Sequence, residues 1–275
     1  MAITYESKKY LKRGCKIWKD MAYDLWAHRE LMWRFFIRDI SAKYRQSFLG
    51  YVWAIVIPLI AVSTFMLLNK SGVLNIENTD VPYPIFALIG LSVWQLFATG
   101  INSGTRSIVS AGTMVSKINF QREVLVFSSI SQALFEFLIK CGLMIILFFA
   151  FRFVPSKMIV LFPIVMLPIV FLTLGLSLLF ALLNSFVRDI ENFISIALMF
   201  LMFLTPVFYP LSADKGLIFL LNPISPIINA TREVIVYGFI KDPVLYIAAT
   251  IFSIFIFLFS WRIFYLVQVK IPERI

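Results

Sequence analysis

Six long apolar runs, at about residues 48–69, 84–105, 124–151, 158–186, 193–209 and 244–266, constrain this 275-residue chain more than any other feature. A helix rising 1.5 Å per residue needs roughly 20 apolar residues to cross about 30 Å of hydrocarbon. Each run except 193–209 meets or passes that length. The chain is 60% hydrophobic and 15% charged, so a water-soluble fold would lack the polar residues to cover its core. The pattern predicts an all-α polytopic membrane protein with six transmembrane helices in a single domain, residues 1–275. Pro58, Pro163 and Pro168 fall inside runs and should kink them, which neighbouring helices make tolerable in a bilayer.

The charges divide by side. Eighteen of the 25 Lys and Arg fall at residues 1–47, in the 106–123 connector, at Arg188, and at Arg262, Lys270 and Arg274; six fall on the alternate connectors, and Lys140 lies within a run. Basic residues collect on the cytoplasmic side, so both termini are expected inside, with 1–21 a cytoplasmic tail and 267–275 a cytoplasmic C-terminus. Positive charge crowded beside a span reports topology and anionic lipid rather than nucleic acid, for which no basic and aromatic module is present. Cys15 and Cys141 sit too differently to suggest a disulfide, and the first apolar stretch begins too late for a cleavable signal.

Between the tail and the first span, 22–46 reads as an interfacial amphipathic helix. Trp33, Phe36, Ile37, Ile40 and Tyr44 recur at three- and four-residue spacing, while Glu30, Arg34, Arg38, Ser41 and Arg45 line another face. The 48–266 stretch forms the six-span domain. Within it, 210–243 holds Asn222-Pro223 and Ser225-Pro226 between apolar pieces at 216–221 and 233–240, each too short to cross, which predicts short re-entrant outer helices before the last span.

Enzyme chemistry has few candidates. The one histidine, His28, lies on the amphipathic segment; no Cys/His spacing suggests a metal, and no GxxxxGK[ST] loop is present to hold ATP. Glu136 and Lys140, four apart on one helix, are the intramembrane charges, read either as a neutralising pair or as an ion-coupling relay. Gly100 and Gly104 could let a neighbouring helix approach closely.

The string RDISAKYRQSFLGYVWAIVIPLI at 38–60 resembles the start of the permease subunit of type-2 ABC exporters, polysaccharide branch, through Arg38, Asp39, Tyr44, Arg45, Leu49, Gly50, Trp53 and Pro58. KINFQREVLVF at 117–127, RDIENF at 188–193 and NPISPIINATREVIVYG at 222–238 follow in the same order, although Gln121 and Val126 stand where that branch commonly has a proline. The resemblance implies an inner-membrane export channel built from a second copy of the chain and two copies of a separate ATP-binding subunit. ATP and Mg would be bound by that ATPase, leaving no cofactor in this chain. The implied cargo is a lipid-linked polysaccharide resembling O-antigen, with teichoic acid, capsule, lipid or drug as alternatives. A secondary transporter coupled through Glu136 and Lys140 is the alternative of another class.

The same resemblance marks 113–123 as a coupling segment, with Lys117, Phe120, Gln121, Arg122 and Glu123 as ATPase contacts and the amphipathic helix, with Arg34, Arg38 and Arg45, lying against the same subunit. Aromatic rings offer a sugar chain many weak contacts and no trap. Tyr51, Trp53, Phe65, Trp94 and Phe97 are therefore the candidate channel-lining residues.

The charge division makes a topological prediction. In a chain lacking Cys15 and Cys141, a cysteine at Ser7 should react with an impermeant thiol reagent only from the cytoplasm. Cysteines at Asn78 and Asp214 should react only from outside; labelling of Asp214 from the cytoplasm would remove the even-numbered topology.

Overall fold

The computed structural model describes residues 16–44, 50–71, 79, 81–112, 114, 120–210 and 222–268. The secondary structure of these residues is helical, joined by turns and short extended links. Two helices come first, α1 (Lys16–Ala27) and α2 (Arg29–Tyr44). Then follow α3 (Trp53–Lys70), α4 (Tyr83–Ser110) and α5 (Glu123–Ala150). A 3-10 turn (Lys157–Leu161), α6 (Phe162–Val165) and α7 (Leu167–Phe186) make one further traverse, with Pro163 and Pro168 in first turns, where a missing N–H costs nothing. The order closes with α8 (Ile190–Phe203), α9 (Ile224–Val236) and α10 (Pro243–Val267).

Among the described residues, five helical stretches are long and apolar enough to cross a membrane: α3, α4, α5, residues 157–186 and α10. The fifth apolar run differs from the six-span expectation. Its helix, α8, ends after 14 residues, and the chain continues as turns through 204–209. Pro206 explains the break, because it removes an N–H and disfavours helical geometry in the residue before it.

Helix α4 is the axis of the fold. Of its apolar window 78% is buried, against 11% for α3 and 17% for α10. It packs along both α5 and α7, and α10 packs on the far side of α7. Small residues set these distances. A Cβ at Gly104 would lie 2.5 Å from that of Ser177, and the Ser177 hydroxyl donates to the Gly100 carbonyl at 3.2 Å. Asn184 Nδ2 donates to the Thr105 carbonyl at 3.1 Å, so the glycine stripe read from sequence is the seam between α4 and α7.

The amphipathic segment departs from its expected bounds and face. Helix starts by residue 16, not 22, because Ile17 and Met21 bury against Tyr265 of α10. A turn at His28 separates α1 from α2, although the His28 N–H still donates to the Asp24 carbonyl at 3.2 Å. On α2 the buried residues are Phe35 and Ile40, whereas Trp33 and Ile37 are exposed; Phe35 meets Phe120 and Phe36 meets Phe135. Phe35 belongs to the packed side because α2 crosses α5, a contact that helical periodicity alone does not encode.

Before the last span, Ile224–Val236 forms one 13-residue helix, in place of the second of two short pieces expected at 233–240. Pro223 caps it and Pro226 sits in its first turn, so the NPISP motif begins the helix and does not interrupt it. The first expected piece, 216–221, lies outside the described residues.

Where α7 meets α10 the backbones nearly touch: a Cβ on Gly175 would stand 2.8 Å from Phe257 Cα and N. Gly175→Ala should therefore lower stability by about 1–3 kcal/mol. Gly142→Ala, where an added methyl meets nothing within 4 Å, should be neutral or stabilising by up to about 1 kcal/mol. Thermal unfolding of both variants in detergent checks the contrast.

Candidate functional site

Two polar assemblies stand at opposite ends of this apolar body, and a charged cluster lies between them. At one end, three elements converge: α1, the chain entering α5, and the last turns of α10. Gln268 is the hub. Its Oε1 accepts the Arg122 backbone N–H at 3.1 Å, its Nε2 donates to Gln121 Oε1 at 2.9 Å, and its carbonyl accepts from Arg122 Nη1 at 2.9 Å. Trp261 Nε1 donates to Glu123 Oε2 at 2.7 Å. Asp24 of α1 closes the set, accepting from the Tyr265 hydroxyl at 2.8 Å and from Gln121 Nε2 at 3.3 Å.

Three of the expected ATPase contacts lie in this network: Gln121, Arg122 and Glu123 are 7%, 8% and 0% exposed, and their side chains bond within the chain. Burial lowers the Arg122 guanidinium from its ordinary pKa. Phe120 is half-buried against Phe35, and Lys117 lies outside the described residues. On the amphipathic helix Arg34 is exposed, and Arg38 pairs with Asp39 at 2.8 Å while lying 4.8 Å above the Phe35 ring. Arg45 is outside the described residues.

In the middle, Glu136 has a partner the sequence did not suggest. Lys43, at the end of α2, reaches its Oε1 at 2.5 Å, and Gln132 Nε2 donates to the same oxygen at 3.3 Å. Lys140 is 4% exposed, and among the described residues no ion pair or hydrogen bond is formed to it. The expected i, i+4 pair is thus a trio with Glu136 at its centre. A salt bridge across 93 residues outcompetes the local one because crossing helices bring Lys43 alongside α5.

At the other end Arg232 of α9 is the fixed point. Its Nη1 donates to the Pro206 carbonyl at 2.7 Å, its Nη2 donates to the Val207 carbonyl, and its Cζ stands 3.8 Å above the Phe86 ring of α4. Gly90 is required beneath it, since a Cβ there would collide with the guanidinium. Around this pin, the Tyr83 hydroxyl donates to the Phe208 carbonyl at 3.0 Å, Asn222 Nδ2 donates to Thr205 Oγ1 at 2.8 Å, and Phe65 stacks on Phe208 at 3.6 Å. Arg232 thus satisfies the carbonyls freed where α8 stops.

The five candidate channel-lining aromatics do not share one surface. Trp94 and Phe97 are 4% and 2% exposed within the α4 core. Phe65 is committed to Phe208. Trp53 is exposed on α3, and the Tyr51 side chain is outside the described residues. Trp94 and Phe97 looked available because aromatic content says nothing about which helix is central. Asp24, Lys43, Trp261, Tyr265 and Gln268 were missed; a polar residue at the terminus of an apolar run, such as Gln268, was the available signal. Among the described residues no cluster of three or more His, Cys, Asp or Glu could hold a metal.

Comparison with known proteins supplies the class. The model of the ABC-2 type transporter family matches residues 30–236, and the chain belongs to that family of membrane transport permeases. It is 30% identical over 217 residues to an O-antigen export system permease protein RfbA of Myxococcus xanthus, covering 77% of this chain and 82% of that protein. An RfbA of Klebsiella pneumoniae is 28% identical over 225 residues, covering 79% and 85%. The polysialic acid transport protein KpsM of Escherichia coli is 25% identical over 217 residues, covering 76% and 82%.

The charged trio yields a prediction. Glu136→Gln should destabilise the protein by about 3 kcal/mol, because it leaves buried Lys140 without a neighbouring anion. Adding Lys140→Met should restore most of the loss, whereas adding Lys43→Met should not, because the Lys43 side chain is 44% exposed and can turn to water. Folded yield by fluorescence-detected size exclusion separates the two double variants.

Proposed function

We propose that this chain is the membrane subunit of an ATP-driven exporter that moves a lipid-linked, O-antigen-like polysaccharide from the cytoplasm to the periplasm. The observation that carries the reading is the likeness, over about three quarters of the chain, to permeases named for O-antigen export and polysialic acid transport. Two copies form the passage, and two copies of a separate ATP-binding subunit drive it. The inner membrane holds the complex, with both termini cytoplasmic.

Several structural features support the arrangement. Helix α3 is 11% buried and turns Trp53, Ile57, Ile60 and Leu67 outward, so it needs lipid or a second copy to cover it. In the dimer Trp53, with Tyr51 two residues before it, lines the passage. Helix α8 and the turns at 204–209 cross together as a sixth, broken traverse. Thr205, Pro206, Val207 and Phe208 are buried in protein, the condition under which irregular backbone is tolerated at membrane depth. Helix α9 then dips in from the outer face. Helices α1 and α2 lie at the inner interface, with Tyr23, Trp26 and Trp33 exposed among Lys19, Arg29 and Arg34, a mixture suited to headgroups. The 113–120 stretch, with Lys117 and Phe120, contacts the ATPase.

Deletion of the gene should remove surface polysaccharide and leave lipid-linked polymer inside the cell; unchanged surface polymer overturns the assignment. Trp53→Ala should reduce export several-fold per assembled complex without loss of ATPase subunit binding. A variant that loses yield but keeps export per complex would instead place Trp53 against lipid.

A further inference from the structure

We infer that Gln268, Tyr265 and Trp261 are coupling residues, which make the last helix a rod carrying ATPase-driven movement of the chain at Gln121 and Arg122 to the outer end of the molecule. The inference rests on the export reading above.

Force delivered to the chain just before α5 has two routes. It can travel along α5 alone, or it can be shared through side chains fastened to the same few residues. The inner network creates the second route. Three bonds join Gln268 to Gln121 and Arg122, and Trp261 holds the Glu123 carboxylate. The side chains concerned are largely excluded from solvent: Gln268 is 3% exposed, Tyr265 5%, and Glu123 fully buried. A buried hydrogen-bonded network resists shear, because each broken bond strands a polar group away from water. Asp24 adds α1 to the same body through Tyr265 and Gln121. Coupling requires such a contiguous, stiff chain of contacts, and this one continues upward.

Helix α10 runs 25 residues from Val267 back to Pro243, with no proline beyond its first position. At its far end it packs against α9, and the Tyr246 hydroxyl donates to the Val165 carbonyl at 3.2 Å. Val165 in turn packs with Ala230 and Val234 of α9. Helix α9 carries Arg232, whose guanidinium grips the carbonyls of Pro206 and Val207 where the sixth traverse leaves helical form. A displacement at Gln268 therefore reaches the pin at the outer end through one rigid helix and one packed contact. A parallel route runs from α5 through α4, which packs along α5 and carries Phe86 and Gly90 beneath Arg232; the Gln268 network adds the α10 route, and its variants cut that route alone.

The test uses the complete permease with its ATPase subunit, reconstituted in proteoliposomes with lipid-linked polysaccharide purified from the source strain. Phosphate release and polymer translocation are measured together, per assembled complex. Gln268→Met keeps the volume and removes the hub; it should leave ATP hydrolysis within about twofold and lower polymer moved per ATP about tenfold. Tyr265→Phe, which deletes one oxygen, should lower it about threefold and decides the matter if the Gln268 variant does not assemble. A thiol placed at Phe239, 59% exposed on the outer side, should change its labelling rate on ATP addition in the unaltered complex and not in the variants. Polymer per ATP equal to that of the unaltered complex, together with the same ATP-induced change in Phe239-site labelling in the assembled variants, overturns the rod. Absence of ATP-driven polymer movement by the unaltered complex would instead overturn the export reading.

Discussion

In a bilayer no water is available to rescue an unpaired backbone carbonyl, and that constraint governs this structure. Where the helices are regular, their own ladders answer it. The chain leaves helical form at 204–209, and there Arg232 answers it with two donors to the Pro206 and Val207 carbonyls. Desolvating a guanidinium is costly, and among the described residues no carboxylate pairs with it to offset the cost. The two carbonyls and the face of Phe86 do. Gly90 follows from this, since only a residue without a Cβ leaves room for the guanidinium. So does the motif around α9, whose prolines begin the helix that presents Arg232.

The helical class, the apolar runs and the α4–α7 glycine seam were legible because they depend on local pattern. A span announces itself by length, and Gly100 and Gly104 by spacing four on a helix that needs a close neighbour. The end of α8 was harder to read. Residues 193–209 are apolar throughout, so hydropathy passed over Pro206. The start of α1 was hidden differently, because Lys16, Lys19 and Asp20 mask a two-residue contact, Ile17 and Met21, made to a partner almost 250 residues away.

The candidate sites were less legible, since each turned on long-range pairing. Glu136 and Lys140 satisfy the spacing for a pair along one helix, yet Lys43 takes the carboxylate because α2 crosses at that height. Gln121, Arg122 and Glu123 read as part of a polar turn that contacts the ATPase. Their burial was not legible, because the groups that enclose them, Trp261 and Gln268, sit some 140 residues further on. Trp94 and Phe97 failed as surface residues for a related reason: sequence shows that α4 is apolar, but not that it is enclosed on nearly every side.

That enclosure separates two kinds of evolutionary freedom. The central helix, with its seams to α5 and α7, is held by volume and by glycine contacts, so most substitutions there damage folding before they alter transport. Helices α3, α8 and α10 keep large apolar faces outside this core, including Trp53, Phe200 and Phe255. Such faces accept new side chains at little cost to the frame. A family built in this way can retain one scaffold while its peripheral helices drift toward different cargoes, which is consistent with relatives named for chemically distinct polymers at only 25–30% identity.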